Sequence, residues 1–187
     1  MTQKQLHMEL KRLLVELSVT YDLQNEQVKT YLYKSKALYI MKIILSSLAT
    51  LGMFLSIFLP VLMLQIITVM LSVATLTLVC ADKGNSYERF YQKNQQPIQK
   101  LWELKEESFM LLSQLCYSPY EEEEMVKQFQ LLCQKREKLY ANLLLVSSHT
   151  RKKLSASLDH VSFSTNDFSK VEPYYIPEAL RFFDENN

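Results

Sequence analysis

A long stretch without charged side chains dominates this sequence. Residues 43–81 contain no Asp, Glu, Lys, Arg or His. One helix of that length would extend roughly 58 Å, whereas the hydrocarbon core of a bilayer is about 30 Å thick. Pro60 interrupts the run, because a proline inside a helix removes a backbone donor and clashes with the preceding turn. The stretch predicts two membrane spans joined by a tight turn. A buried soluble hairpin is the alternative, but the rest of the chain offers too little apolar surface to cover it.

Glycine and cysteine are scarce, and each scarcity excludes a class of structure. The two glycines, Gly52 and Gly84, are too few for a turn-rich β architecture or a glycine-rich phosphate loop. The three cysteines, Cys80, Cys116 and Cys133, form no CxxC pair, so we expect reduced thiols. Outside the apolar run, Leu, Lys, Glu and Gln dominate, and all four favour helix. The composition therefore predicts an all-α membrane protein.

Signatures of catalysis are also missing. The sequence has no GxSxG, GxxxxGKS/T, HExxH or GxGxxG motif. His7, His149 and His160 have no spacing to cysteines or carboxylates that indicates a zinc site. The formal net charge is +1, and no segment is basic enough to indicate binding to duplex DNA. We therefore predict no enzyme activity, no metal site and no cofactor.

The polar flanks divide the chain and orient the hairpin. We predict cytosolic N-terminal helices (1–38), a transmembrane hairpin (39–83, with spans near 39–59 and 61–81), a cytosolic antiparallel helical bundle (84–155) and an aromatic-rich tail (156–187). Basic residues flank both ends of the hairpin, at Lys29, Lys34, Lys36, Lys42, Lys83, Arg89, Lys93 and Lys100. By the positive-inside rule, both termini face the cytoplasm.

Before the hairpin, the apolar spacing predicts two helices. The first has one apolar stripe, made by Leu6, Leu10, Leu13 and Leu17. We interpret residues 20–25 as a break, after which a second helix begins near Glu26 and continues into the first span. Tyrosines and lysines alternate before the span, which is typical of an interfacial belt, with ligand contact as the alternative. They are Tyr31, Tyr33, Lys34, Lys36, Tyr39 and Lys42.

The spans themselves contain small and polar residues at helical spacing. Gly52 and Ser56 form a small-xxx-small pair, which permits close approach of two helices. The second span has a polar stripe at steps of three, four and three, made by Gln65, Thr68, Ser72 and Thr75. Four polar side chains on one face should not contact lipid. Either they hydrogen-bond to another helix, or in an oligomer they line a water-filled pore.

After the hairpin, the pattern predicts two long helices and a docked tail. The first covers about residues 86–115, and the second begins near Ser118 and carries an apolar seam to Val146. The basic cluster of Arg151, Lys152 and Lys153 then lies near the end of that second helix, where cations favour the helix dipole. Phosphate binding is the functional alternative. The tail is rich in aromatic residues, so we expect it to pack on the protein rather than remain solvated.

The order of these elements resembles the SLATT family, the two-transmembrane effectors associated with nucleotidyltransferase and SLOG sensor proteins. The resemblance covers about residues 27–115. It includes the run Tyr31-Leu32-Tyr33-Lys34-Ser35-Lys36-Ala37 before the hairpin and the run Tyr87-Glu88-Arg89-Phe90-Tyr91 after it. Near the end of the chain, Ile176-Pro177-Glu178-Ala179-Leu180-Arg181 is similar to the proline-led tails of that group.

The resemblance implies a membrane effector of bacterial anti-phage defence. Such an effector forms a homo-oligomeric ion channel or pore, by analogy a tetramer, that depolarises the inner membrane and causes abortive infection. A nucleotide or oligonucleotide from a partner nucleotidyltransferase would gate it, opening it in some systems and holding it shut in others, such as the Hailong type. The alternative is a non-conducting, membrane-anchored coiled-coil scaffold for a soluble partner.

A charged oligonucleotide requires cations for its phosphates and flat rings for its bases. The residues that could supply them are Tyr87, Arg89, Tyr91, Lys93, Arg136, Tyr140, Arg151, Lys152 and Lys153.

Overall fold

The protein is helical throughout the part of the chain that the computed structural model describes, which comprises residues 2–58, 62–84, 87–117, 122–157 and 168–181. The helices are α1 (Gln3–Phe58), α2 (Leu62–Gly84), α3 (Tyr87–Tyr117), α4 (Glu122–Tyr140), α5 (Ser148–Ser157), α6 (Phe168–Tyr175) and α7 (Glu178–Arg181). Among the described residues, 94% are helical and none forms a strand. The predicted all-α class is confirmed.

The helices form two compact units. The core unit comprises Met1–Gln27 and Lys93–Asn187, and the hairpin unit comprises Val28–Gln92. Helices α1 and α3 each contribute residues to both units.

The predicted break at residues 20–25 is wrong, because α1 continues through it from Gln3 to Phe58. Polar residues in this stretch indicated a loop, but in the structure they hydrogen-bond to other elements of the core unit. Thr20 Oγ1 lies 3.1 Å from Tyr140 Oη. The Gln24 side-chain amide donates to the Leu144 carbonyl, and the Tyr175 hydroxyl donates to Asp22. With their side chains satisfied in this way, the residues remain helical.

Leucines from several helices fill the core of the core unit. The predicted stripe of Leu6, Leu10, Leu13 and Leu17 is confirmed, since all four side chains are buried. From α3, Leu101, Leu104, Leu111 and Leu112 are buried in the same cluster, and α4 adds Met125 and Leu132. Burial of this apolar surface is the main stabilising contribution, at about 25 cal/mol per Å².

Hydrogen bonds and ion pairs define how the long helices of the core unit pack. Glu16 of α1 pairs with Arg136 of α4 at 3.0 Å. Four residues further along both helices, Thr20 contacts Tyr140. Because both residue numbers increase together, α1 and α4 run parallel here. Lys135 of α4 pairs with Glu107 of α3 at 2.6 Å. Gln114 and Gln128 line the same groove further along, so α3 and α4 run antiparallel, as predicted for the helical bundle.

Helix α4 is shorter than the predicted seam, because it ends at Tyr140 and leaves Leu143 and Val146 outside it. Asn142 helps to end the helix by donating from its side chain to the Lys138 carbonyl at 3.0 Å. Ser147 then caps a separate helix, α5, because its Oγ accepts from the Thr150 backbone N–H at 3.2 Å. The predicted helix start at Ser118 lies outside the described residues.

The described part of the tail packs on the core unit, as predicted. Val171, Ile176 and Leu180 are buried in its core. Lys11 of α1 forms a largely buried ion pair with Glu172 at 2.7 Å and also donates to the Arg181 carbonyl. His7 Nε2 donates to the Leu180 carbonyl at 3.0 Å. Three further aromatic residues of the tail, Phe163, Phe182 and Phe183, lie outside the described residues.

In the hairpin unit, the two apolar helices meet along one narrow seam. From α1, the half-buried positions are Lys42, Leu45, Ala49, Gly52 and Ser56, and from α2 the buried or half-buried positions include Leu64, Thr68, Leu71, Thr75 and Leu78. Alternating steps of three and four residues are typical of two helices packed along their length. The other faces expose large apolar side chains, such as Ile57, Leu62 and Met70.

Helix α1 and residues Leu62–Ala81 of α2 are each long and apolar enough to cross a membrane. In α2, only 6% of the most apolar window is buried within the chain, and in α1 none of it is. Apolar surface of this extent is stable in contact with lipid rather than water. The hairpin unit is therefore the membrane part of an all-α membrane protein.

Candidate functional site

Gly52 is a point of close approach between the two spans. A Cβ atom placed on Gly52 would lie 2.5 Å from Thr68 Oγ1, which is too close for any real side chain. The absent side chain of Gly52 therefore lets α1 and α2 come together at Thr68, whose side chain is buried. The prediction that Gly52 permits close helix packing is confirmed.

The predicted pore-lining residues share one side of α2 but differ in burial. Thr68 is buried and Thr75 half-buried, both on the seam with α1. Gln65 and Ser72 flank that seam and are exposed. A pore wall would form only between copies of the chain, so the pore-lining role of these residues stays a prediction.

Three of the four polar groups in this stripe are satisfied inside α2 itself. The hydroxyls of Thr68, Ser72 and Thr75 donate to the carbonyls of Leu64, Thr68 and Leu71, at 2.8, 2.9 and 2.7 Å. Such bonds to the preceding turn let a hydroxyl face an apolar environment without another partner. Gln65 differs, because its carboxamide has no hydrogen-bond partner within the described residues. It is the polar group of the stripe with most need of a partner outside the chain.

Aromatic rings cluster within the hairpin unit, between α1 and the first residues of α3. Tyr31 of α1 stacks on Tyr87 at 6.0 Å and on Phe90 at 5.6 Å between ring centroids. The Lys34 ammonium lies 5.7 Å from the centre of the Tyr87 ring. Tyr87, a predicted ligand residue, is therefore already engaged within the chain, while Arg89 on the same helix is exposed.

The predicted ligand residues of the core unit separate into engaged and available groups. Arg136 pairs with Glu16, Lys153 pairs with Glu26, and Tyr140 contacts Thr20. Burial is the main cause that raises the pKa of Tyr140 far above its usual range, so the hydroxyl stays protonated. These three side chains contribute to packing of the core unit.

Four predicted cations remain exposed, without a partner among the described residues. They are Arg89 in the hairpin unit, and Lys93, Arg151 and Lys152 in the core unit. Tyr91, the remaining predicted aromatic residue, is half-buried.

The basic cluster was expected near the end of the helix that begins at Ser118, but it lies in the middle of the separate helix α5. The last turn of α5 has no basic residue, so a stabilising contact with the negative end of the helix dipole does not explain Arg151 and Lys152. Two adjacent, exposed cations are suited to binding an anion through charge-assisted hydrogen bonds.

A buried polar cluster beside α5 is a feature that the sequence reasoning missed. The Thr150 hydroxyl and the Ser147 backbone N–H both donate to the Gln27 side-chain oxygen. Gln27 and Thr150 are both buried. The cluster connects α1 directly to the start of α5, and therefore fixes the position of the Arg151 and Lys152 backbone. Ser147 was the available signal, because serine is a preferred residue at the N-cap of a helix.

No group of three His, Cys, Asp or Glu side chains that could hold a metal ion occurs within the described residues.

The fold and its exposed apolar hairpin define the class, a two-span all-α membrane protein. The model of the SMODS and SLOG-associating 2TM effector domain family 4 matches residues 6–161. The chain therefore belongs to the SLATT family, and the resemblance found in its sequence is confirmed. No curated protein and no solved structure matches it significantly. Membership suggests a membrane effector of defence systems, and the effector domain is not a known enzyme family.

Proposed function

We propose that this chain is the membrane effector of a bacterial anti-phage system and forms an ion channel from several copies of its hairpin. The channel lies in the inner membrane with both termini in the cytoplasm, and its opening depolarises the cell. Four copies is the stoichiometry that family analogy suggests. A nucleotide or oligonucleotide from a partner nucleotidyltransferase controls the opening.

Gln65 carries this proposal. It is exposed on α2 of the hairpin, and its carboxamide has no partner within the described residues. An amide without a hydrogen bond in an apolar medium costs about 4–8 kcal/mol relative to water. Contact with another copy, or with water in a shared path, removes that penalty. Ser72 lies two turns further along the same face and would continue the path.

Thr68 and Thr75 have a different role in this proposal. Both lie on the seam with α1, and Thr68 is in contact with Gly52. They hold the two spans of one copy together, so that Gln65 and Ser72 point away from the seam toward a neighbouring copy. The predicted polar stripe is thereby divided between packing and conduction.

Arg151 and Lys152 are the cations that we propose for the phosphates of the controlling ligand. Both are exposed and unpaired among the described residues, and the cluster of Gln27, Ser147 and Thr150 holds their helix against α1. Phosphate groups form strong charge-assisted hydrogen bonds with such side chains. Lys153 is the matched comparison, because it is already paired with Glu26.

The test of conduction compares substitutions on two faces of α2. In cells expressing the chain, Gln65→Leu together with Ser72→Ala should abolish depolarisation, because the path loses its polar wall. Thr77→Val is the control, since Thr77 is also exposed and its hydroxyl donates within α2 to the Ala74 carbonyl. Membrane insertion and oligomer size should be unchanged in both. Depolarisation that survives the double substitution would contradict the pore-lining role.

The scaffold alternative is tested in the same cells. If the hairpin is only an anchor, replacing residues 39–83 with an unrelated two-span hairpin preserves defence against phage. Loss of defence on that replacement, with the protein still in the membrane, supports conduction. The ligand is tested separately, since Arg151→Ala with Lys152→Ala should remove control by the nucleotidyltransferase while leaving the channel itself intact.

A further inference from the structure

The outer face of α1 carries a stripe that changes from basic to apolar within one helical turn. Its members are Lys29, Tyr33, Lys36, Ile40 and Ile43, all exposed, with Tyr33 at 69% and Ile40 at 55%. They follow one another at steps of four, three, four and three, which places them on one side of the helix. The half-buried residues Ser35, Leu38 and Lys42 lie on the opposite side of α1.

The two lysines of this stripe are available for a ligand. Neither Lys29 nor Lys36 has a hydrogen bond or ion pair within the described residues. Lys34, by contrast, lies over the ring of Tyr87. The sequence of the hairpin unit also contains few acids that could neutralise them. It has six basic residues, Lys29, Lys34, Lys36, Lys42, Lys83 and Arg89, against two acidic ones, Asp82 and Glu88.

We propose that Lys29, Tyr33 and Lys36 form a binding site for the phosphate of an anionic phospholipid. The two lysines are about 10.5 Å apart along the helix axis, with Tyr33 between them. Flexible lysine side chains can converge on one phosphate over that distance, and the Tyr33 hydroxyl is a further donor.

The apolar part of the stripe identifies the ligand as a lipid rather than a soluble phosphate. Ile40 begins about 6 Å beyond Lys36 along the axis, and Ile43 follows it toward the span. A phospholipid has the same order, with a charged headgroup followed directly by acyl chains. Each basic residue beside the membrane strengthens attraction to anionic lipid by about fivefold. The proposal requires insertion of the hairpin, but it does not depend on conduction.

Native mass spectrometry of the full chain in detergent tests this site. The protein is titrated with dioleoyl phosphatidylglycerol, and in parallel with the zwitterionic dioleoyl phosphatidylcholine. We expect phosphatidylglycerol to bind more tightly. Lys29→Gln with Lys36→Gln should weaken its binding about thirtyfold. Lys29→Arg with Lys36→Arg should retain binding to within about threefold, because Arg keeps both charges.

Lys127→Gln with Lys138→Gln is the matched control, because it removes the same charge from exposed positions of α4. This control should leave lipid binding unchanged. An equal loss in the control would mean that net charge alone attracts the lipid, and would overturn the site. Equal affinity for the two lipids would also overturn it, as would displacement of the lipid by glycerol phosphate at similar concentration. None of these readouts involves ion flux, so they are independent of the channel proposal.

Discussion

The two units of this protein arrange apolar side chains in opposite ways. In the core unit, leucines such as Leu10, Leu101 and Leu112 are fully buried. In the hairpin unit, the spans bury little beyond a narrow seam in which leucines alternate with small and polar residues such as Gly52 and Thr68. Water drives the first arrangement through the hydrophobic effect. Lipid allows the second, because helices in a bilayer associate through close packing rather than through exclusion of water.

The two units also differ in what their polar side chains hydrogen-bond to. In the core unit, polar side chains connect different elements, as Lys11 does with Glu172 of α6 and Gln24 does with the Leu144 carbonyl between α4 and α5. In α2, the hydroxyls of Thr68, Ser72 and Thr75 bond within their own helix. In the core unit, polar contacts between elements therefore help to select how the helices pack. In the hairpin unit, the packing of the two spans depends on the fit of their surfaces, and Gln65 is the carboxamide of the spans that still requires a partner.

Truncation of a leucine should distinguish the two arrangements most strongly. Leu112→Ala removes a fully buried side chain from the core unit and should destabilise it by about 2–5 kcal/mol. Leu51→Ala, at an exposed position in the first span, should have little effect, because lipid fills the space. The single tryptophan, Trp102, lies in α3 within the core unit and reports its unfolding by fluorescence. Equal shifts in melting temperature for the two variants would contradict the proposed difference between the two units.

The seam of the hairpin unit should be sensitive to added rather than removed volume. Gly52→Ala brings a Cβ within 2.5 Å of Thr68 Oγ1, so either the Thr68 side chain or the two spans must shift, at an expected cost of about 1–3 kcal/mol. Hydrogen exchange of α2 amides, measured by mass spectrometry on the full chain, should increase in this variant.

Adding Thr68→Ala to Gly52→Ala removes the clashing oxygen and should restore slow exchange. The remaining Thr68 Cβ would lie at an ordinary contact distance of 3.5 Å. If the double variant exchanges as fast as Gly52→Ala alone, contact with Thr68 is not the reason for the glycine.

The smallest predicted effect is a pH dependence confined to the core unit. Burial is the main cause that lowers the pKa of His7 below its usual 6.5, and nearby Lys11 lowers it further. The Leu180 carbonyl and Glu172 act in the opposite direction. Because the folded-state pKa is the lower one, the unfolded chain takes up a proton first as the pH falls. The stabilisation from neutral His7 is therefore present above about pH 6.5 and is lost as the pH falls through the folded-state pKa.

His7→Gln tests this dependence, because glutamine can still donate to the Leu180 carbonyl but does not titrate. Trp102 fluorescence should show that the wild type melts at a lower temperature at about pH 5.5 than at about pH 7.5. The glutamine variant should show a smaller difference. An identical difference in the two proteins would remove His7 as its origin.

The sequence was sufficient for the hairpin and insufficient for the ends of the helices. An uncharged run of residues 43–81 has few alternatives to two spans. The polar residues 20–25 resembled a loop, because sequence alone does not show that Thr20 and Gln24 contact elements 120 residues away. Helix α4 was predicted to extend to Val146, because the apolar spacing continues past the actual end at Tyr140. Periodicity describes which side chains are buried, whereas Asn142 marks where α4 ends and Ser147 marks where α5 begins.

The candidate site was predicted less completely than the fold. Helical spacing correctly grouped Gln65, Thr68, Ser72 and Thr75 on one side of α2. It could not separate the seam positions from the exposed ones, because that division depends on where α1 contacts α2. Similarly, the charges of Arg136 and Lys153 suggested ligand binding, whereas Glu16 and Glu26 pair with them. Only the three-dimensional contacts distinguish a free cation from a paired one.

Membrane potential in living cells is the most direct test of the central proposal. It would be measured in cells that express the chain alone, and in cells that also express its neighbouring gene, the place where we propose to look for the partner nucleotidyltransferase. We predict depolarisation in at least one of the two conditions, and its loss in Gln65→Leu with Ser72→Ala. If the chain alone depolarises the cells and the partner suppresses this, the channel is held shut by the partner's product. If depolarisation occurs only when the partner is present, the product is an activating ligand. A steady potential in both conditions, with the protein inserted in the membrane, would contradict the channel and leave the scaffold.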